Sequence, residues 1–203
     1  MAQASAPFGF KPWERVIHAG MYVVPTAPTL NIMLQDMVAA DPAAIATTKG
    51  NGLAAVAIAD SAIISTTVGA ILLGSVLACF DEDMDPILYI PAGRVGDGTV
   101  AGYVLVADSP DQLFLAQEDS VTDDIALADV GLNFEIYSPG VSLGNTSTGI
   151  SKQMIDSNSH ATTITVSVKV LSAHPDDNPV NDHYSRWICK INAHFLGSNA
   201  AAV

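Results

Sequence analysis

Two segments near the C-terminal end alternate apolar and polar residues one by one. In residues 162–170, Ile164, Val166, Val168 and Val170 fall on one face, while Thr163, Thr165, Ser167 and Lys169 fall on the other. Period-two alternation in β-branched residues is the pattern of a strand with one face in a core and one toward water. Residues 184–195 repeat it. Trp187, Cys189, Ile191, Ala193 and Phe195 oppose Arg186, Lys190, Asn192 and His194, and Ile188 is the one misfit on the polar side.

Strand signals recur through the rest of the chain. Residues 15–24 are β-rich and end at Pro25; residues 70–80 read as a buried strand, 81–86 as an acidic turn, and 87–90 as a short strand closed by Pro91. Residues 100–107 and 112–118 are β-rich runs joined by Asp108-Ser109-Pro110-Asp111, a turn by its chemistry. One helical turn is expected at 124–130, ended by Gly131. Residues 26–60 are rich in Ala and Thr, with Pro28, Pro42, Gly50 and Gly52 as breakers. Within them Leu30, Met33, Leu34, Met37 and Val38 recur at helical spacing, so 31–40 reads as a short helix or as a strand. Turn signals every 8–12 residues or so, with hardly any helix, give a mainly β chain: a single β-barrel or a jelly-roll-like sandwich over residues 14–196. Residues 197–203 read as a flexible tail.

Residues 1–13 read differently, as an extended arm. Pro7 and Pro12 disfavour helix at themselves and just before, while Phe8, Phe10 and Trp13 each cost roughly 1.5–3 kcal/mol to leave in water. Such an arm docks, either on its own domain or across a neighbouring subunit. The second reading makes Pro7, Phe8, Phe10, Pro12 and Trp13 a partner-binding clamp, with a domain from about Arg15 onward that folds without it.

Composition limits the function. Acidic residues outnumber basic ones 21 to 8, for a net charge of −13, and no Lys/Arg cluster appears, which argues against direct contact with nucleic acid. Only 14% of the residues are charged, so much of the surface is small and weakly polar, as suits packing against a partner. Cys79 and Cys189 lie far apart, each in an apolar run, and read as reduced core thiols. Residues 61–80 carry no charge over a length that spans a bilayer. Ser and Gly interrupt the run and its flanks are acidic, so it reads as two buried strands split near residues 67–69, with no membrane span.

Three motifs invite a chemical reading. Gly140-Val141-Ser142-Leu143-Gly144 matches the nucleophile elbow, but Pro139 precedes it and Asn145-Thr146-Ser147-Thr148-Gly149 cannot open the helix which that turn requires. Asp81, Asp83 and Asp85 have calcium-loop spacing, yet Pro86 and Ala92 stand where the loop needs Gly and Glu. Asp176, Asp177, Asp182 and His183 are suited to acid–base work or equally to a solvated loop. No zinc spacing or phosphate-binding glycine motif occurs, and Asn145-Thr146-Ser147 is a glycosylation sequon only in a secreted eukaryotic protein. No catalytic, cofactor or metal residue is assigned.

Several segments together resemble one group of tailed-bacteriophage head proteins. The opening Ala-Pro-Phe-Gly-Phe-Lys-Pro of residues 6–12 is similar to the start common in that group. Tyr103-Val-Leu-Val-Ala-Asp-Ser-Pro-Asp and Leu113-Phe-Leu-Ala-Gln-Glu-Asp resemble its central segment, and Ala126-Leu-Ala-Asp-Val-Gly-Leu-Asn the stretch that follows. Ser147-Thr-Gly, the alternating strand at 162–171 and Tyr184-Ser-Arg-Trp-Ile-Cys-Lys-Ile-Asn-Ala-His complete the order, while residues 26–65 do not visibly match. The resemblance implies a β-barrel or jelly-roll decoration (cement) protein on the outer capsid surface of the virion, made in the bacterial host cytoplasm. It implies no active site and no cofactor. The expected partners are the major capsid protein and further copies of the chain, as a dimer or trimer. A head-fibre base or host-glycan-binding module is the alternative, and would show exposed Trp and Tyr around a groove. A small jelly-roll enzyme would need His and carboxylates converging in a barrel mouth.

Overall fold

The structure is a computed structural model that describes residues 5–40, 56–58, 71–119, 123–137, 144–162, 166–177 and 183–197. Over these residues the chain is nearly all β, and its one helical element is a 3-10 turn, Leu127–Asp129. The expected split near 67–69, the first part of the alternating strand, and residues 198–203 of the tail lie outside the described residues.

The two alternating segments form neighbouring strands of one antiparallel sheet. Strands β16 (Val168–Ala173) and β17 (Arg186–Ile191) pair with Val168 opposite Ile191 and Val170 opposite Cys189. On its other side β17 pairs with β10 (Leu113–Gln117), which sets Phe114 against Cys189 and Ala116 against Trp187. The two-residue strands β1 (Lys11–Pro12) and β11 (Asn133–Phe134) close the edges, in the order β1-β10-β17-β16-β11. Ile188, the misfit, faces outward opposite Leu115, and both are nonetheless buried.

A second antiparallel sheet runs β2-β9-β6-β4-β5, built from Gly20–Pro25, Val100–Ala107, Leu72–Phe80, Met37–Ala40 and Val56–Ile58. Strand β7 (Pro86–Ile87) adds to β6, and β5 comes back beside β2, so the sheet curls into a half-barrel. Its two faces serve two cores. Met37, Ala39, Leu72 and Ala107 join Phe114, Phe134, Val168, Val170, Trp187 and Cys189 of the first sheet. Val38, Leu73, Val76, Cys79, Val104 and Val106 point the other way, into the curl. There Ile32 and Ile90 close over them, carried by the paired strands β3 (Ile32–Met33) and β8 (Tyr89–Ile90). Burial on both faces explains why β6 is a continuous apolar run rather than an alternating one. Three short pairs remain: β12 (Ile136–Tyr137) with β15 (Met154–Ile155), and β13 (Gly144–Asn145) with β14 (Ile150–Ser151) in addition to β3–β8.

Between 31 and 40 the chain takes the strand reading. The Asp36 carboxylate accepts the Met33 N–H at 2.6 Å and Gln35 adopts φ 67°, a tight turn that separates β3 from β4. The strand expected over 15–24 begins only at Gly20. Glu14 at φ 59° bends the chain, and Ile17 N–H is held by the Gln112 side chain instead of a ladder partner. At the corner between the sheets the 108–111 turn forms as its chemistry dictates, with the Asp111 N–H on Ser109 Oγ. Asp108 itself is buried and accepts the Tyr22 hydroxyl at 2.6 Å.

The arm is where the expectation needs correcting. Phe10 is fully buried in the core between the sheets, and Lys11 and Pro12 pair with Leu115 and Phe114 as a strand of the chain's own first sheet. The boundary expected between residues 13 and 14 therefore falls inside a packed unit, and Phe10 does not offer its ring to a partner. Phe10→Ala is expected to cost about 3–5 kcal/mol, as for other buried aromatics, read as a lower urea midpoint. Phe8→Ala, at a half-buried position, should cost considerably less.

Candidate partner-binding surface

The arm crosses from one sheet to the other, and each crossing has its own bond. Ala6 N–H donates to Gln117 Oε1 at 3.0 Å, Phe10 N–H to the Gln35 carbonyl at 2.8 Å, and Trp13 N–H to the Leu113 carbonyl at 2.8 Å. The Ser75 hydroxyl of β6 donates to the Phe10 carbonyl. Gly9 sits at φ 76°, with the Gln35 carbonyl oxygen 2.3 Å and Ser151 Cβ 2.6 Å from where a Cβ would stand. Only glycine fits there.

Four of the five expected binding residues, Pro7, Phe8, Pro12 and Trp13, remain half-buried along this crossing. Trp13 meets the His174 ring edge-on at 5.2 Å. Beside the arm lie two shallow grooves that share Lys11 and Gln35. One, of 270 Å³, is walled by Glu14, Arg15, Val16, Leu34, Val76 and Leu77 along with Pro12. The other, of 260 Å³, is walled by Phe8, Leu115, Ile150 and Arg186. Arg186 is fixed by Asp177, whose buried carboxylate takes its backbone N–H at 2.6 Å and its guanidinium at 2.6 and 3.1 Å. Gln35 was not singled out in the sequence; its signal is an isolated amide between Leu34 and Asp36 in an otherwise apolar stretch.

The chemical motifs do not converge. Asp177 faces Arg186, whereas His183 pairs with Asp124 at 3.0 Å; Asp182 lies outside the described residues. Residues 140–143 also lie outside them, and Gly144 enters a two-stranded hairpin, not the helix a nucleophile elbow needs. In the acidic turn, Asp81 Oδ1 accepts the N–H groups of Asp83 and Asp85 at 3.0 and 2.9 Å, so that carboxylate closes its own turn. Among the described residues no group of three or more His, Cys, Asp or Glu is arranged to hold a metal ion, and no helix is long and apolar enough to cross a membrane.

Two buried acids are structural nodes that the sequence did not mark. Glu118 accepts the N–H of Ile125 at 2.6 Å and of Ser185 at 2.9 Å, tying three distant segments at the end of β10. Desolvation pushes its carboxyl up to about 7, and pushes that of Asp36 up to about 8. No protein-family model, curated protein or solved structure matches the chain.

Gly9→Ala is expected to unseat the arm at a cost of at least about 1–3 kcal/mol, seen as a lower melting temperature and faster tryptic cleavage after Arg15. The buried acids make stability depend on pH. A proton held in the folded state to about pH 7 or 8, but released by the unfolded chain near pH 4, stabilises the fold at low pH and is lost as pH rises. Burial holds the His194 imidazole below its usual value, which acts in the opposite sense only below about pH 6.5. Between roughly pH 6.5 and 8 the unfolding free energy should therefore fall by on the order of 2 kcal/mol, and Asp36→Asn should flatten most of that slope in chemical denaturation.

Proposed function

We propose that this chain is a structural virion protein of a tailed bacteriophage, a decoration protein that binds the outer capsid surface and bridges major capsid subunits. One observation carries the reading: four of the segments that resemble phage head proteins are neighbours in space. Residues 103–111 are the last part of β9 and the turn that feeds β10, residues 113–119 contain β10, and residues 184–194 contain β17. The opening arm, 6–12, lies on β10 from the other side. Four separate stretches of likeness thus make one contiguous framework. The part of the chain without visible likeness, 26–65, supplies β4 and β5 at one margin of the second sheet, and β3, which pairs with β8.

The physical character of the chain supports the same reading. Its charged content is low and its net charge strongly negative, which suits wide contact with a more basic protein lattice and not with DNA. The grooves beside the arm are shallow and open, unlike an enclosed small-molecule site. A glycan-binding module would present exposed aromatics around a groove; Trp187 is fully buried, and Phe8 and Trp13 of the arm are half-buried.

Quantifying this chain against the major capsid protein on a denaturing gel of purified particles tests the proposal. A comparable copy number is expected, and absence from particles contradicts it. Raising NaCl from about 50 to about 500 mM should release the chain from particles, because a −13 protein held by a basic partner loses attraction as the ions screen it.

A further inference from the structure

The trough formed by the two grooves is a local exception in an acidic molecule. Three of the chain's eight basic residues, Lys11, Arg15 and Arg186, line it, against one of its 21 acidic residues, Glu14. Asp177 takes up the charge of Arg186. Lys11 and Arg15 are exposed and have no ion-pair partner among the described residues. Around them the exposed Val16 and the half-buried Leu34 and Leu77 give an apolar wall. The complement to such a trough is a protruding element that joins carboxylates to an apolar side chain.

The acidic turn after β6 is such an element. Asp83, Met84 and Asp85 are consecutive and exposed, Met84 at 47% and with φ 68°. The turn is stiff: Asp81 Oδ1 holds the amides of Asp83 and Asp85, the Asp81 N–H donates to the Asp85 carbonyl at 2.9 Å, and Glu82 is anchored to Arg94 at 2.6 Å. Little entropy is lost when a pre-organised tip docks. It cannot reach its own trough. Val76 and Leu77 lie in the same strand as Phe80, which immediately precedes the turn, and three or four residues of extended chain hold the two features roughly 10 Å apart or more.

We propose that the 83–85 tip of one copy docks in the Lys11/Arg15 trough of a second copy, with Asp83 and Asp85 beside the two cations and Met84 on the apolar wall. This contact is independent of the capsid reading, because self-association is read in solution without particles. The test is sedimentation velocity of the full chain at roughly 100 µM in low salt, where a modest contact of a few charges and one apolar side chain is populated. Wild type should associate. Lys11→Glu/Arg15→Glu and Asp83→Lys/Asp85→Lys should each weaken association at least tenfold, and an equimolar mixture of the two variants should restore it. All four positions are exposed, so unchanged melting temperatures are expected and separate loss of contact from loss of fold. Met84→Ser, which changes no charge, should weaken association as well. A monomeric wild type, charge variants that associate like wild type, or a mixture that stays monomeric would overturn the proposal.

Discussion

Between residues 9 and 13 the backbone bonds to both sheets at once, and the two layers of the fold depend on that crossing. The Phe10 N–H donates to the Gln35 carbonyl, and the Phe10 carbonyl accepts the Ser75 hydroxyl on the half-barrel side. The next two residues, Lys11 and Pro12, are paired to β10 of the other sheet. The Phe10 ring fills the core between them. Without this crossing β10 would be an unpaired edge, with its backbone groups open to other strands. The shared core would also lose one of its largest side chains. Gly9 makes the crossing sterically feasible, since any side chain there would meet the Gln35 carbonyl.

What could be read in the sequence follows the range of the information. The strand at 100–107 is written in a β-rich run and the ladder of Val168, Val170, Trp187, Cys189 and Ile191 in local alternation, and the structure has both. The acidic turn and the 3-10 turn before Gly131 are likewise set by neighbouring residues. The nodes are another matter. Met37 N–H donates to Gln153 Oε1 across 116 positions, and Glu118 reaches Ser185 across 67. No periodicity encodes such bonds. Two-residue strands such as β3, β8 and β12 are too short to carry a period at all.

The arm shows the same limit at the candidate site. Prolines and aromatics announce that residues 6–13 dock, but the chemistry of docking on one's own core is that of docking on a neighbour. Only the spatial arrangement separates Phe10, committed to the core, from Phe8, half-buried in the trough wall, and Trp13, half-buried against His174. The arm thus does two things with one short segment. Its inward residues close the fold, and its outward ones, Lys11 with Arg15 just beyond, supply the positive charge of a surface that is elsewhere acidic.

Native-state hydrogen exchange at the Phe10 and Trp13 amides tests this account most directly. If the crossing holds the two sheets together, both amides should exchange only through global unfolding, with the same opening free energy as the amides of Cys189 and Val170 in the central ladder. Exchange of Phe10 and Trp13 within seconds, while the β16–β17 ladder stays protected, would mean that the arm opens on its own and that the sheets are joined without it.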